Sequence, residues 1–591
     1  MRTTTIRHFI LFLALGVLSI PLAMAQGALY EIPLAQQVEE SSLIIEGKVI
    51  AQEGFWNQEN ANIFTLNTIE VYKVFKGQAV TRIEMITPGG QVGMNAEKVT
   101  PSLGLNVNDV GVFTLTPTNV ILSNGKNNLM TAYSGPQGFY RYETFTNKVV
   151  NPFKVIEGVE TNFYPMLTSH TRVPFVEVKQ FKVPQISNVE TRGSVNITNI
   201  SPTTVTSGTG TVLTITGSGF GGTPQTVGFT NADDGGATYT FAASTQILSW
   251  SDTTITVEIP SEAGNGNVAI IDNPPTMVLA LSGQNLSVDY AHINATADLG
   301  ASGLWTDDTQ HYNDNGNGGY TWQMFTDFDA NTPANESFMR AFNTWRCTTD
   351  IYWEMGATTA TDATALDGIN IVRFDNGSEL PVGVLGVCTS YFSGCLQPPP
   401  TDVEWIITEL DITFDDGVTW EYGPALPSVS EYDFESVAVH ELGHGHQLAH
   451  VIDSNAIMHY AIANGDSNRT LSSDDIDAGN ALQTRSTGTS VCGAPVASEW
   501  DCTLSNAEFD LTGTIAIYPS PATEVLFIRN NSFISLYNLT IYDINGRIVK
   551  QQDLRESNEL FSVDVSQLSD GVYFAKIATE NGTLTKKIII E

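Results

Sequence analysis

The chain has 591 residues, 42% of them hydrophobic, and a formal net charge of −37 from 27 basic and 64 acidic side chains. That length predicts several domains with ordinary cores, and that charge argues against nucleic acid, whose phosphates call for clustered Lys and Arg. An acidic surface suits a soluble exported protein; it also admits calcium, which takes carboxylate and carbonyl oxygens.

Arg2 and Arg7 flank the start of an apolar run from Phe9 to Leu22, and Ala23-Met24-Ala25 follows as an A-x-A cleavage site. Residues 1–25 therefore read as a signal peptide. The run is short of the ~20 residues of a membrane span, and no later stretch is apolar enough, so no transmembrane segment is expected after its removal. Export permits disulfides. Among Cys347, Cys388, Cys395, Cys492 and Cys502, two local pairs suggest themselves, Cys388–Cys395 and Cys492–Cys502, although spacing alone does not fix connectivity.

Residues 26–190 are rich in strand signals, such as the alternating Ile63–Tyr72 and the Thr87-Pro88-Gly89-Gly90 turn. They predict a small antiparallel β domain, open or closed into a barrel. Residues 191–292 shift to Thr, Gly and Ser with short alternating strands, the pattern of a β-sandwich. Residues 296–486 change again. Strands are predicted at Tyr320–Met324, Ile369–Phe374 and Leu410–Phe414. Phe338, Ala341, Phe342 and Trp345 share one helix face, and a second helix runs from Tyr432 to His446. Strand, helix, strands and a long helix make an α/β order. Residues 487–512 read as a linker, and 513–591 as a terminal β-sandwich with an Asn-Gly turn.

Four of the nine histidines lie within His440–His450. On a helix His440 and His444 stand one turn apart on one face, where their imidazoles can hold one Zn²⁺ at ~2.0–2.1 Å. Glu441 is placed to reach a water on that metal. His450 supplies a third ligand if the chain turns back after the helix, leaving one position open as catalytic zinc requires. His446 falls off the ligand face and reads as a polar helix-end residue, and His459 as a neighbour of the site.

The spacing H-E-x-x-H-x-x-x-x-x-H, with Met458 eight residues on, resembles the metzincin clan of zinc endopeptidases. Asp411–Trp420 is similar to a matrixin segment beside which substrate lies, and Ser472 with Asp475 to the capping box of a matrixin helix. The resemblance implies His440, His444 and His450 as zinc ligands and Glu441 as general base toward a zinc-activated water. It further implies Met458 as a hydrophobic floor and Tyr460 as a residue that approaches the zinc or steadies the oxyanion. Gln447 stands where the clan has glycine, at a positive-φ turn. Thr413 replaces a structural-zinc histidine, so no second zinc is expected. Asp415 keeps calcium open at that place. No cysteine lies between Gln26 and Arg346 to cap the zinc, so latency would need a carboxylate or a steric cover.

Ile197–Pro202 and Leu213–Gly222 resemble the TIG (IPT) immunoglobulin-like family. The tail, from Ile517-Tyr518-Pro519 to Lys586-Lys587-Ile588, resembles the C-terminal sorting domain of the type IX secretion system of Bacteroidetes-type bacteria. Together these imply a multidomain protein, an α/β metzincin-like catalytic domain flanked by β-rich barrel or sandwich domains. It would be secreted or held at the outer-membrane surface, with the secretion machinery and protein or peptide substrates as partners. The function implied is a zinc metalloendopeptidase. The alternative is a cell-surface binding or adhesion protein whose β domains are the working part.

Overall fold

The computed structural model describes residues 28–143, 147–183, 195–272, 278–300, 303–377, 379–397, 402–460, 465–502, 515–530, 536–544, 546–555, 560–579 and 582–591. The signal peptide expected at 1–25 lies outside them. The chain divides into two compact units, Met1–Trp500 and Asp501–Glu591, and the described residues are strongly β-rich.

In the first unit, strands Leu43–Trp56 (β1), Ile63–Lys76 (β2) and Arg82–Pro88 (β3) are followed by a small hairpin, Gly90–Val92 (β4) and Asn95–Thr100 (β5). Val110–Pro117 (β6) and Met130–Ala132 (β7) come next. β1, β2, β3, β7 and β6 pair in a ring that returns to β1, so the sheet closes into a barrel. Ile45, Val49, Ile69, Val71, Met85, Phe113 and Leu115 fill it, as expected where alternate residues face inward. The hairpin does not join this ring. β5 leaves the barrel and pairs with a strand some three hundred residues later, so a boundary at 190 does not separate self-contained sheets.

Residues 195–294 form two facing sheets. Leu213, Ile215, Val227, Phe229, Ile255, Val257, Val268 and Ile270 meet between them, the alternating inward set of a β-sandwich.

The next sheet carries Tyr320–Met324 (β8), Trp353–Met355 (β9), Asn370–Phe374 (β10), Gly386–Gln397 (β11) and Asp402–Phe414 (β12). Its order is β9-β8-β10-β12-β11-β5-β4; β8, β9, β10 and β12 run parallel, and β11 and β5 are antiparallel to their neighbours. Helix Thr332–Thr348 (α1) buries the predicted Phe338, Ala341, Phe342 and Trp345 completely, and the Trp345 indole donates to Val439 O at 2.7 Å. Helix Phe434–Gly445 (α2) packs in the same core, through Val437, Ala438 and Leu442 with Ile412 and Phe414 of β12. It starts two residues later than expected, because Tyr432–Asp433 pairs with Trp420–Glu421 and Asp433 caps the helix through Ser436 N. Helix Ser473–Gly488 (α3) opens on the expected Ser472/Asp475 capping box.

Two sequence expectations fail here. Cys388 and Cys395 lie on one extended strand, β11, an odd number of residues apart. They face opposite sides of the sheet, and at ~3.3 Å per residue they cannot meet. Cys395 instead bonds Cys492, Cys347 and Cys502 are also disulfide-bonded, and Cys388 is a buried free thiol. The expected linker from 487 is therefore in part structural: Val491 and Ala497 are buried, and Gln483 donates to Ser498 O.

The second unit is a sandwich of a three-stranded and a four-stranded sheet, closed over Leu526, Ile528, Leu539, Ile541, Val563, Ala575 and Ile577. Both asparagines that could open its Asn-Gly turn, Asn545 and Asn581, fall outside the described residues.

Candidate metal centre

α2 is buried along its length. Its packing against β11 depends on Gly386: a Cβ there would stand 3.1 Å from both Glu441 Cγ and Val437 Cγ1. Met458 fills the other side, and a Cβ on Gly443 would fall 2.2 Å from its sulfur. Met458 thus lies under the helix.

His440, His444 and His450 converge. The Nε2 atoms of His444 and His450 stand 3.1 and 3.3 Å from that of His440, and one ring nitrogen from each lies within 4.8 Å of the others. Two ligands ~2.0–2.1 Å from a tetrahedral zinc are roughly 3.3 Å apart, so the spacing fits one ion. The opposite ring nitrogens agree. His440 Nδ1 meets Ile457 O at 2.9 Å, His444 Nδ1 meets Leu448 O at 2.8 Å, and His450 Nδ1 meets Asp233 Oδ1 at 2.8 Å. An acceptor at each Nδ1 fixes the proton there and leaves the Nε2 lone pair for a metal. Burial, then the nearby His450, pushes His440 down to about 3, and burial holds His444 well below the usual histidine range. His440 and His444 are thus neutral, the form that ligates.

Glu441 is 0% exposed, and neither carboxylate oxygen makes a hydrogen bond of ordinary geometry. Burial pushes its carboxyl well above the usual range. A buried, poorly satisfied carboxylate beside three metal-competent imidazoles is unfavourable for stability alone and fits a group that acts on something bound there.

The turn from α2 to His450 passes through Gln447 at φ 68°. A non-glycine residue in this region costs roughly 1–2 kcal/mol. The side chain offsets that cost. It is fully buried, donates to Ser390 Oγ at 3.1 Å and accepts from Thr309 Oγ1 at 2.9 Å, so glutamine does here what a bare glycine could not.

The Met458 segment is clamped by Asp475, which accepts from Ile457 N at 2.8 Å and Met458 N at 3.2 Å while completing its own helix cap. The sequence signalled the cap but not the clamp. His459 lies beside the site, its Nδ1 3.3 Å from Val451 O. The Tyr460 hydroxyl abuts Gly235, where a Cβ would fall 2.2 Å from it. His446 caps the C-terminal end of α2, as a helix-end residue, and is buried between Trp345 and Trp353, where it meets Thr349 Oγ1 at 2.9 Å. Thr413 bonds Thr364 at 2.8 Å. Asp415 gathers with Asp375 and Asp416. Backbone N–H groups already donate into that cluster, from Leu380 and Asp416 to Asp375 and from Gly417 to Asp415.

The start of the matrixin-like segment Asp411–Trp420, beside which substrate was expected to lie, is not an open edge. It lies within β12, between β10 and β11. The strand against α2 is β11, and its outer edge is held by β5, with Cys388 opposite Thr100 through Ser393 opposite Asn95.

With this geometry in view, three family models match the chain: matrixin over residues 316–483, the IPT/TIG domain over 195–294 and the secretion system C-terminal sorting domain over 516–591. They are the three components named from the sequence. The sorting-domain match implies a secreted or surface protein of a Bacteroidetes-type bacterium. No curated protein matches. Among solved structures, one similar chain is a DUF3244 family protein with an immunoglobulin-like β-sandwich fold from Bacteroides vulgatus. It is 18% identical over 13% of this chain and 85% of that one, with a TM-score of 0.12. Another, crystallised with a xylogluco-oligosaccharide, is 10% identical over 67% and 60%, with a TM-score of 0.18. Superpositions this distant carry no argument. Among the described residues no helix is long and apolar enough to cross a membrane.

Proposed function

We propose that the chain is a secreted zinc endopeptidase whose α/β segment at 296–486 hydrolyses peptide bonds in proteins. The observation that carries this reading is the convergence of three Nε2 atoms, each with its Nδ1 anchored, beside a buried carboxylate that makes no hydrogen bond of ordinary geometry. His440, His444 and His450 would hold the ion. Zinc, when bound, polarises a carbonyl and acidifies water. Glu441 takes the proton of the attacking water and returns it to the leaving amine. Met458 keeps the floor of the site apolar, and the Tyr460 hydroxyl steadies the developing oxyanion. The sorting tail would deliver the enzyme through the type IX machinery. The adhesion reading gains no support, since a turn of the sandwich domain touches His450 itself and ties that domain to the site.

The test is metal content and its loss. Purified full-length protein is expected to carry one zinc per chain, and H440A and H444A to carry none. Wild type that takes up no zinc when supplied with it contradicts the reading.

A further inference from the structure

The three ligand histidines are not anchored alike. Two lean on backbone carbonyls, Ile457 O and Leu448 O, from their own neighbourhood. The third leans on a side chain from another domain, Asp233 at 2.8 Å, in the turn 231–235 of the TIG-like sandwich. That turn is built for the position. Asn231 caps it by accepting from Asp233 N at 3.1 Å, Ala232 beneath it is fully buried, and Gly236 N closes back on Asn231 O at 2.7 Å. It is also docked on the segment after His450. Gly235 fits against the Tyr460 hydroxyl, Gly264 against Ile452, and the Asn265 amide donates to Ile452 O at 3.0 Å.

We propose that Asp233 is a positioning residue for the metal, a carboxylate that orients His450 and strengthens its Nε2 as a ligand. The sandwich domain is then part of the metal centre. A carboxylate is a stronger acceptor from an imidazole N–H than a carbonyl, and outer partners of this kind are typically worth about 10–100-fold in metal affinity. The Asp233 side chain is 48% exposed, so solvent screens it and the lower end of that range applies.

The inference rests on the three histidines being a zinc site, and the experiment separates the two. Zinc affinity of the full chain is measured by competition with a metallochromic chelator, and melting of the metal-free chain is followed alongside. Asp233→Ala is expected to weaken zinc about tenfold with little change in metal-free melting. Asp233→Asn, which keeps an oxygen acceptor without the charge, falls between it and wild type. Glu262→Gln, nearby but touching no ligand, stays within about twofold of wild type. Wild-type affinity in both Asp233 variants overturns the inference, as does lowered metal-free stability with zinc affinity unchanged, which would make the contact only a docking point. Should Asp233→Ala fail to fold, Asp233→Asn decides alone. If wild type binds no zinc, the site reading fails instead.

A different observation concerns β5. β11 is the strand against Glu441, since Gly386 leaves little room for a Cβ beside that side chain and Ser390 is bonded by Gln447. One edge of β11 is filled by β12 and the other by β5. We infer that Asn95–Thr100 occupies the place an extended peptide would take by strand addition, so that the folded chain is latent until the hairpin leaves. This too rests on the peptidase reading. Thr100 lies directly opposite the free Cys388, so Thr100→Cys offers a cross-strand disulfide lock, and Lys98→Pro, opposite Ser390 in the register whose backbone faces β11, weakens the pairing by removing a backbone donor. Cleavage of an unfolded protein is expected to rise tenfold or more in Lys98→Pro. It should fall below wild type in oxidised Thr100→Cys and recover on reduction. Equal rates in all three overturn the inference. If no form cleaves, binding of a peptide hydroxamate to the zinc-loaded variants gives the same comparison without turnover, and equal affinities overturn it.

Discussion

Two regions meet at the three imidazoles and hold them by different means. Residues 440–475 are self-sufficient. The helix supplies two ligands and Glu441, backbone carbonyls at 448 and 457 fix two of the rings, and Asp475 pins the Met458 turn. Residues 95–100 and 231–235 come from other domains and add one carboxylate and one strand. The first region sets what chemistry is available. On the function proposed here, the second would set how tightly the metal is held and whether a substrate can reach it. Chemistry within one short segment follows from spacing on a helix, whereas control from distant segments follows from surfaces that meet only in the folded chain.

The comparison can be broken first at Asp475. Asp475→Ala leaves the Ile457 and Met458 amides without their acceptor and removes a helix cap. Each buried donor left unpaired costs about 1–3 kcal/mol, so a loss of roughly 3–4 kcal/mol is expected, read as a lowered denaturation midpoint. A change below ~1 kcal/mol would mean that the segment does not depend on its clamp.

Glu97 on β5 probes the other region. It is buried and accepts from Ile63 N, and burial raises its carboxyl from 4.5 to about 8. The folded chain therefore holds this proton more tightly than the unfolded chain. The stability it contributes is full below about pH 4.5 and is lost as pH rises through about 8, a swing of about 3–5 kcal/mol. Denaturation midpoints of wild type should fall against those of Glu97→Gln over that window. Parallel curves would contradict the burial of this group.

Gln447→Gly sharpens the comparison within the first region. Glycine relieves the positive φ but forfeits the bonds to Ser390 and Thr309. We expect a net loss of about 1–2 kcal/mol. A gain would mean that the backbone cost outweighs the side-chain bonds. The smallest effect is expected at Tyr460. Tyr460→Phe should lower kcat by less than about tenfold with KM unchanged, well short of the ~10²–10³-fold of a full oxyanion-hole donor, because its hydroxyl packs against Gly235.

Much of the first region was legible in the sequence. His440, Glu441, His444, His450 and Met458 stand at spacings that a helix and a short turn convert directly into proximity, and the Ser472/Asp475 cap is a local pattern. The predicted strands of β8, β10 and β12 lie where alternation and apolar runs placed them. Gln447 was visible as an irregularity, but the buried bonds that accommodate it come from Ser390 and Thr309, distant in sequence. Asp233 gave no signal, because an Asp-Asp-Gly-Gly turn looks like any polar turn and lies 217 residues from His450. The defection of β5 was equally silent. Strand addition uses backbone groups that every residue carries, so Asn95–Thr100 bears no mark of its partner. The disulfides misled for a related reason: nearness in sequence on one extended strand is distance in space.

The central claim is that Glu441 and the three histidines hydrolyse peptide bonds. The most direct measurement is the rate at which the full chain, with its hairpin released by Lys98→Pro or by limited proteolysis, cleaves an unfolded protein, set beside the same form carrying Glu441→Ala. We predict cleavage that a zinc chelator abolishes and added zinc restores, and a loss of 10²–10⁴-fold in the Glu441→Ala form. Cleavage that persists at full rate without Glu441, or a released, zinc-loaded wild type that cleaves nothing, would contradict the account.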